Sequence, residues 1–287
     1  MQHFSRWLIA VLLIAGLAGI GYLWWSRQAP VVPIASAPAS SASVAAPDTT
    51  ASAGQLAASA PANYPIEAIR PEPGASDALP AMADADDAAV RDAVIGLLGR
   101  EQALSFLDLG DFPRRFVATV DNLARGHAAS RVWPVVPAPA RFLVVEKDGT
   151  STIAGGNADR YNAFVRFATA IDSASAVALY VRMYPLLQKA YEDLGYPDKY
   201  FNNRLVEVID QLLQTPEPEA PIAVTLTRVK GPIAEQRPWL RYEFADPALE
   251  ERPAGQKILL RMGLRHTQAL KTKLRDLRSR IAGRTIG

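Results

Sequence analysis

Trp7 to Trp25 is a run of nineteen residues without an Asp, Glu, Lys, Arg or His, bounded by Arg6 and Arg27. At a rise of about 1.5 Å per residue, a helix of that length covers about 28 Å. That is close to the roughly 30 Å hydrocarbon thickness of a bilayer. Trp7 at one end and Tyr22, Trp24 and Trp25 at the other suit the two interfaces. The run therefore reads as a transmembrane helix from which the rest of the chain hangs. It exceeds the apolar core of a secretory leader, about 7 to 15 residues. The small tripeptide Ala35-Ser36-Ala37 lies too far beyond Trp25 to serve as a cleavage site. An uncleaved anchor is expected. Arg6 and the α-amino group face only Arg27, a thin positive-inside bias that puts the N-terminus in the cytoplasm and the bulk of the chain outside it.

Residues 28 to 83 are dominated by Ala, Pro and Ser, with one short apolar patch around Tyr64 and Ile66. Such a segment buries too little apolar area to offset its ordering entropy and is expected to be a disordered linker, with a coil reach of about 40 Å. The remainder, 84 to 287, is a comfortable single-domain length. With no cysteine in the chain there is no disulfide framework and no thiolate metal site. The net charge of +2 hides an asymmetry: 22 Lys and Arg against 28 Asp and Glu up to residue 254, then 9 against 1. A basic segment ends an acidic body.

Periodicity and punctuation predict a mainly α domain with one or two small β-hairpins. Asp84, Asp86 and Asp87 cap a helix carrying Val90, Val94, Leu97 and Leu98, stopped by Gly99, and a short helix spans Glu101 to Leu107. Asp111 and Pro113 open the next, with Phe116, Val117, Val120 and Leu123 on one face. Phe142 to Glu146, Asp148-Gly149 and Thr150 to Ile153 read as a hairpin. Asn157 and Asp172 each cap a helix, Pro185 kinks or breaks the second, and Asn202 or Asn203 caps Arg204 to Leu213. Ile222 to Val229 and Leu240 to Phe244 form a second strand pair, and helices Pro253 to Met262 and Thr267 to Ile281 finish the chain.

The strings DNLARG (Asp121 to Gly126), YPLLQKAYEDLGYPDKYFNNRLVEVIDQLL (Tyr184 to Leu213), YEFADPALEE (Tyr242 to Glu251) and AGQKILLRMG (Ala254 to Gly263) resemble the proteobacterial family catalogued as domain of unknown function three thousand and fourteen. The resemblance spreads over most of residues 85 to 280. It implies an N-terminal hydrophobic segment, a variable linker and a place in the bacterial envelope. It implies no activity, and no catalytic residue carries over from it.

No residue pattern specifies chemistry. The three histidines, at 3, 127 and 266, do not form a triad pattern with neighbouring acids, although His127 has Asp121 and Ser130 nearby in sequence. Asp84, Asp86 and Asp87 lack the glycine and distal glutamate of a calcium loop, and no phosphate-binding glycine loop is present. No cofactor and no metal is expected. Two polar clusters could form an interaction surface: Asp121, Asn122 and Arg125, and Tyr196, Tyr200, Asn202, Asn203 and Arg204, with Tyr191 and Asp198 nearby. The simpler reading of both is structural: helix caps and buried hydroxyls that fix the loop between two helices, and Arg125 near the last carbonyls of its helix. In the final helix Leu270, Leu274, Leu277 and Ile281 form an apolar stripe, while Lys271, Lys273, Arg275, Arg278 and Arg280 make a basic face, read as docked on one side and solvated on the other. No aromatic is interleaved with those charges, so nucleic acid is not an expected partner.

The sequence thus points to a single-pass inner-membrane protein that presents a periplasmic, non-enzymatic domain to an unknown envelope protein or polymer. One alternative is an envelope enzyme acting on peptidoglycan, with Asp121, Asp198 or Asp210 as acid and base. Another is a cytoplasmic-facing binder of an acidic partner or nucleic acid through the basic C-terminal helix. Oligomeric state is not readable from the chain.

Overall fold

A computed structural model of the chain describes residues 64–70, 81–227 and 241–282. The expected membrane helix over Trp7 to Trp25 and most of the expected linker lie outside the described residues. Among the described residues no single helix is long and apolar enough to cross a membrane.

The body is mainly helical. Asp86 accepts from the Ala89 amide at 2.8 Å and starts α1 (Asp87–Leu98), which buries Val90 and Val94, and α2 (Arg100–Phe106) follows directly. Pro113, whose missing N–H costs nothing in a first turn, opens α3 (Phe112–Leu123). Its neighbour Asp111 makes no side-chain cap there. Val144–Lys147 (β1) and Thr150–Ile153 (β2) then pair antiparallel in the expected hairpin, Val144 opposite Ile153. Asp148 and Gly149 at the turn both have positive φ, 51° and 75°, as a two-residue turn of matching twist requires.

After a 3-10 stretch over Gly155–Tyr161 come α4 (Asn162–Ala170) and α5 (Ser173–Asp193), the latter capped by Asp172 through the Ser175 amide at 2.8 Å. Of the kink or break expected at Pro185, the break does not occur: the 21-residue helix runs on past it to Asp193, with Val177, Ala178, Met183, Leu187 and Ala190 buried, so packing outweighs the lost hydrogen bond. Next are α6 (Phe201–Leu213), an antiparallel pair β3 (Val224–Leu226) and β4 (Tyr242–Phe244), a single turn α7 (Pro247–Glu250) capped by Asp246, α8 (Ala254–Met262) and α9 (Leu264–Ile281). The two strand pairs touch through a Thr152–Ala223 bridge.

α5 and α6 both pack against α3, and α9 lies across α4, α5 and α6. The side chains of Val117, Leu187, Phe201, Val206 and Val208 are almost fully buried between these helices. α8 packs against α3 and α6, and at its start a side chain would be crowded. A Cβ on Gly255 would lie 3.1 Å from the Leu123 carbonyl oxygen and 2.5 Å from Leu212 Cδ2. The Ala254 amide donates to the Arg125 carbonyl at 2.7 Å, and Gln256 Nε2 to the Gln211 carbonyl at 2.6 Å.

Residues 64–70 depart from the expectation for a linker. Ile69 is buried, and Tyr64 and Ile66 pack with Val177, Val206, Ile209 and Ile281. The apolar patch that interrupts the Ala/Pro/Ser composition belongs to the folded body.

Candidate functional site

The two polar clusters singled out in the sequence meet in space. Asp121, near the end of α3, has a side chain only 7% exposed and accepts on both oxygens. Arg125 Nε and Nη2 donate to Oδ2 at 3.1 and 2.6 Å, and Arg204 Nε, from the first turn of α6, donates to Oδ1 at 3.1 Å. Arg204 Nη2 also reaches the Asp121 main-chain carbonyl at 3.2 Å, and Nη1 reaches Glu207 at 3.0 Å. The Tyr196 hydroxyl joins them: it accepts from Arg125 Nη2 at 2.7 Å, while its ring stacks on Tyr191 at 4.6 Å between centroids. The hydrogen bond and charge of Asp121 hold the Arg125 guanidinium above its ordinary pKa. Burial pulls Arg204 down, but Glu207 and Asp121 outweigh it and leave the group raised.

This arrangement is a clamp between helices. The Asp121 carboxylate is engaged by two arginines, one on each oxygen. Asn122 is half-buried, and its main-chain carbonyl accepts from the Arg125 amide at 3.0 Å. Asp210 pairs with Arg278, and Asp198 is exposed on the loop before α6. His127 is exposed, whereas His266 is buried, with Nε2 3.1 Å from the Ala158 carbonyl. Among the described residues no three His, Asp or Glu side chains are placed to share a metal ion.

The remaining candidates divide between interior and surface. Tyr200 is 58% exposed. Asn202 and Asn203 are not helix caps: α6 begins at Phe201. Asn202 is fully buried, its Nδ2 donating to the carbonyls of Tyr64 and Ile281 at 2.9 and 3.1 Å while its Oδ1 accepts from the Tyr180 hydroxyl at 3.0 Å. Asn203 Oδ1 accepts from the Tyr64 amide at 2.7 Å. Asn157 is likewise an interior tie rather than a cap. It accepts from the Leu143 amide at 3.2 Å and donates to the Arg261 carbonyl at 2.9 Å.

The basic face expected to be solvated is largely tied down. Lys271 is 5% exposed; its Nζ donates to the Thr215 carbonyl at 2.8 Å and pairs with Glu217. Lys273 donates to the Ile171 carbonyl, Arg278 pairs with Asp210, and Arg275 is exposed. The reason is that α9 is flanked by packing partners on more than its leucine stripe, so carbonyls at the ends of α4 and α6 meet its lysines.

Sequence reasoning missed an apolar cavity of about 460 Å³ between the helices. α3, α5 and α6 supply most of its wall, with α9 and the ends of α1 and α4 completing it. The Asp121–Arg204 clamp joins two of these walls. The available signal was an excess of apolar residues on α5, where Val177, Leu179, Tyr180, Met183 and Leu187 exceed a single stripe.

No curated protein and no solved structure matches the chain. A family model described as protein of unknown function (DUF3014) matches residues 112–278, from the first residue of α3 into the last turns of α9, and the chain belongs to that family.

Proposed function

We propose that the chain is a single-pass inner-membrane protein whose helical domain works outside the cytoplasm as a binding module for an envelope partner and performs no catalysis. The membrane part is supported by the uncharged run from Trp7 to Trp25 with arginines at both ends. The observation that carries the non-catalytic part is the state of Asp121: the most buried carboxylate of the candidate site is consumed by Arg125 and Arg204. Both of its oxygens are taken up in holding α3 to α6, which leaves neither turned toward a ligand. The acid–base reading needs two carboxyl groups facing one cleft. Asp121 and Asp210 are instead each held by arginine. The nucleic-acid reading needs a basic face open to phosphates, and Lys271, Lys273 and Arg278 are bonded to the body.

A reporter fusion after Gly287 tests the topology. Alkaline phosphatase, which matures only outside the cytoplasm, is expected to be active there, and a fluorescent protein that matures only in the cytoplasm is expected to stay dark. The reverse pattern overturns the envelope assignment.

A further inference from the structure

The core cavity and a surface pocket of about 600 Å³ share two wall residues, Leu107 and Val135. These two residues form an isolated antiparallel bridge, and the flanking amides of Asp108 and Val136 bond the Pro134 and Phe106 carbonyls. Main-chain pairing therefore fixes the place where the two spaces adjoin.

On the inner side the wall is hydrocarbon. Only Thr119 and Tyr180 bring hydroxyls to it, and both are already donated, Thr119 to the Val132 carbonyl at 3.2 Å and Tyr180 to Asn202 at 3.0 Å. A ligand with polar atoms would be stripped of water there and find no partner in exchange. At about 460 Å³ the space falls within the roughly 300–1,000 Å³ of ligand pockets and well above the ~150 Å³ that takes one benzene.

The outer pocket is mixed, charged side chains standing among apolar ones. Arg91 and Arg100 line it, both exposed and without a hydrogen bond or ion pair among the described residues. Asp108, the carboxylate in the same pocket, is held by Arg115 at 2.8 Å. Leu104 and Val136 stand beside the arginines, 51% and 45% exposed. Two cations bordered by apolar side chains, next to a hydrocarbon-walled interior, form a surface of graded polarity.

We infer that the domain holds a single-chain anionic amphiphile, its hydrocarbon tail in the core cavity and its acidic head on Arg91 and Arg100. The inference rests on the reading of the domain as a binding module. It does not depend on which side of the membrane the domain faces, so it can fail or stand independently of the topology.

The test uses the full chain in phosphatidylcholine nanodiscs with a diazirine-bearing palmitate, photolysed and mapped by peptide mass spectrometry. Labels are expected on cavity-wall peptides from α3, α5 and α6. Unlabelled palmitate or lysophosphatidate should compete, the stronger competitor identifying the head as carboxylate or phosphate, and inorganic phosphate should not. Filling the cavity with Leu179→Trp should abolish wall labelling. Because that change could also disturb packing, a second variant reverses two exposed charges, Arg91→Glu with Arg100→Glu. It should weaken labelling about tenfold or more with the melting temperature unchanged. Labelling confined to the Trp7–Trp25 peptide, wall labelling without competition, or labelling indifferent to the charge reversal would overturn the inference.

Discussion

Arg204 and Asp121 stand 83 positions apart in the chain and meet at 3.0 Å, joining the first turn of α6 to the last turn of α3. Their side chains are 18% and 7% exposed, so water screens the pair poorly. Asp121→Ala leaves the Arg204 charge partly buried with only Glu207 to face, and is expected to cost about 3 to 5 kcal/mol in urea unfolding. Arg125, 53% exposed, is the lesser limb, and Arg125→Ala should cost about 1 kcal/mol or less. Equal costs for the two changes would show that the clamp is not organised around Arg204.

Lys271 and Arg275 lie one turn apart on α9 in opposite situations. Lys271→Glu would bring a second carboxylate against Glu217 and leave the Thr215 carbonyl without its donor, for an expected loss of about 3 to 5 kcal/mol. Arg275→Glu at the exposed position should stay within about 0.5 kcal/mol. Chemical denaturation of the two variants side by side checks this, and a mild Lys271→Glu would return the residue to the solvated face read from the sequence.

Gly255 is the point of closest approach between α8 and the ends of α3 and α6. The Leu212 side chain can move, but the Leu123 carbonyl oxygen cannot move without shifting α3. Gly255→Ala is therefore expected to destabilise by about 1 to 3 kcal/mol, although alanine is the better helix former. A rise in melting temperature would contradict the packing described.

Stability should fall on mild acidification through His266. Burial holds this imidazole below its ordinary value; the hydrogen bond to the Ala158 carbonyl opposes that, Arg265 adds to the lowering and Asp159 counters it. Above the unfolded value of about 6.5, His266 is neutral in both states and contributes no pH dependence. Below it the unfolded chain takes up the proton first, so stability declines as pH drops until the folded group also protonates. His266→Gln, which keeps a donor for the Ala158 carbonyl, should flatten this decline in melting temperature between about pH 7 and pH 5. An unchanged slope would assign the acid sensitivity to other groups.

Local punctuation was legible in the sequence because it acts within one or two turns. Asp86, Asp172 and Asp148-Gly149 do what their neighbours alone require. The polar clusters at Asp121 and Arg204 were also visible as clusters, but not their convergence, which helix packing decides. Asn157 and Asn202 were misread because an asparagine before an apolar run has the same signature whether it caps or ties. Only the arrival of Arg261, Tyr64 and Ile281 makes them interior ties. Lys271 looked solvated because periodicity locates one apolar stripe and says nothing of carbonyls approaching from the flank. The cavity is legible only as the excess of apolar residues on α5; its place and size depend on how several helices meet, and no single residue encodes them.

The docking of Tyr64 has a mechanical consequence. Its amide is held by Asn203 and its carbonyl by Asn202, and Asn202 in turn grips the Ile281 carbonyl. Tension applied to the chain from its N-terminal side reaches Tyr64 before it reaches α1, and passes into the first turn of α6 and the last turn of α9. A few side-chain hydrogen bonds and the burial of Ile69 resist it there, against the many contacts that hold the helices together. The joint is expected to yield before the helices part: a pull that peels residues 64–70 from the surface releases slack before the load arrives at α1.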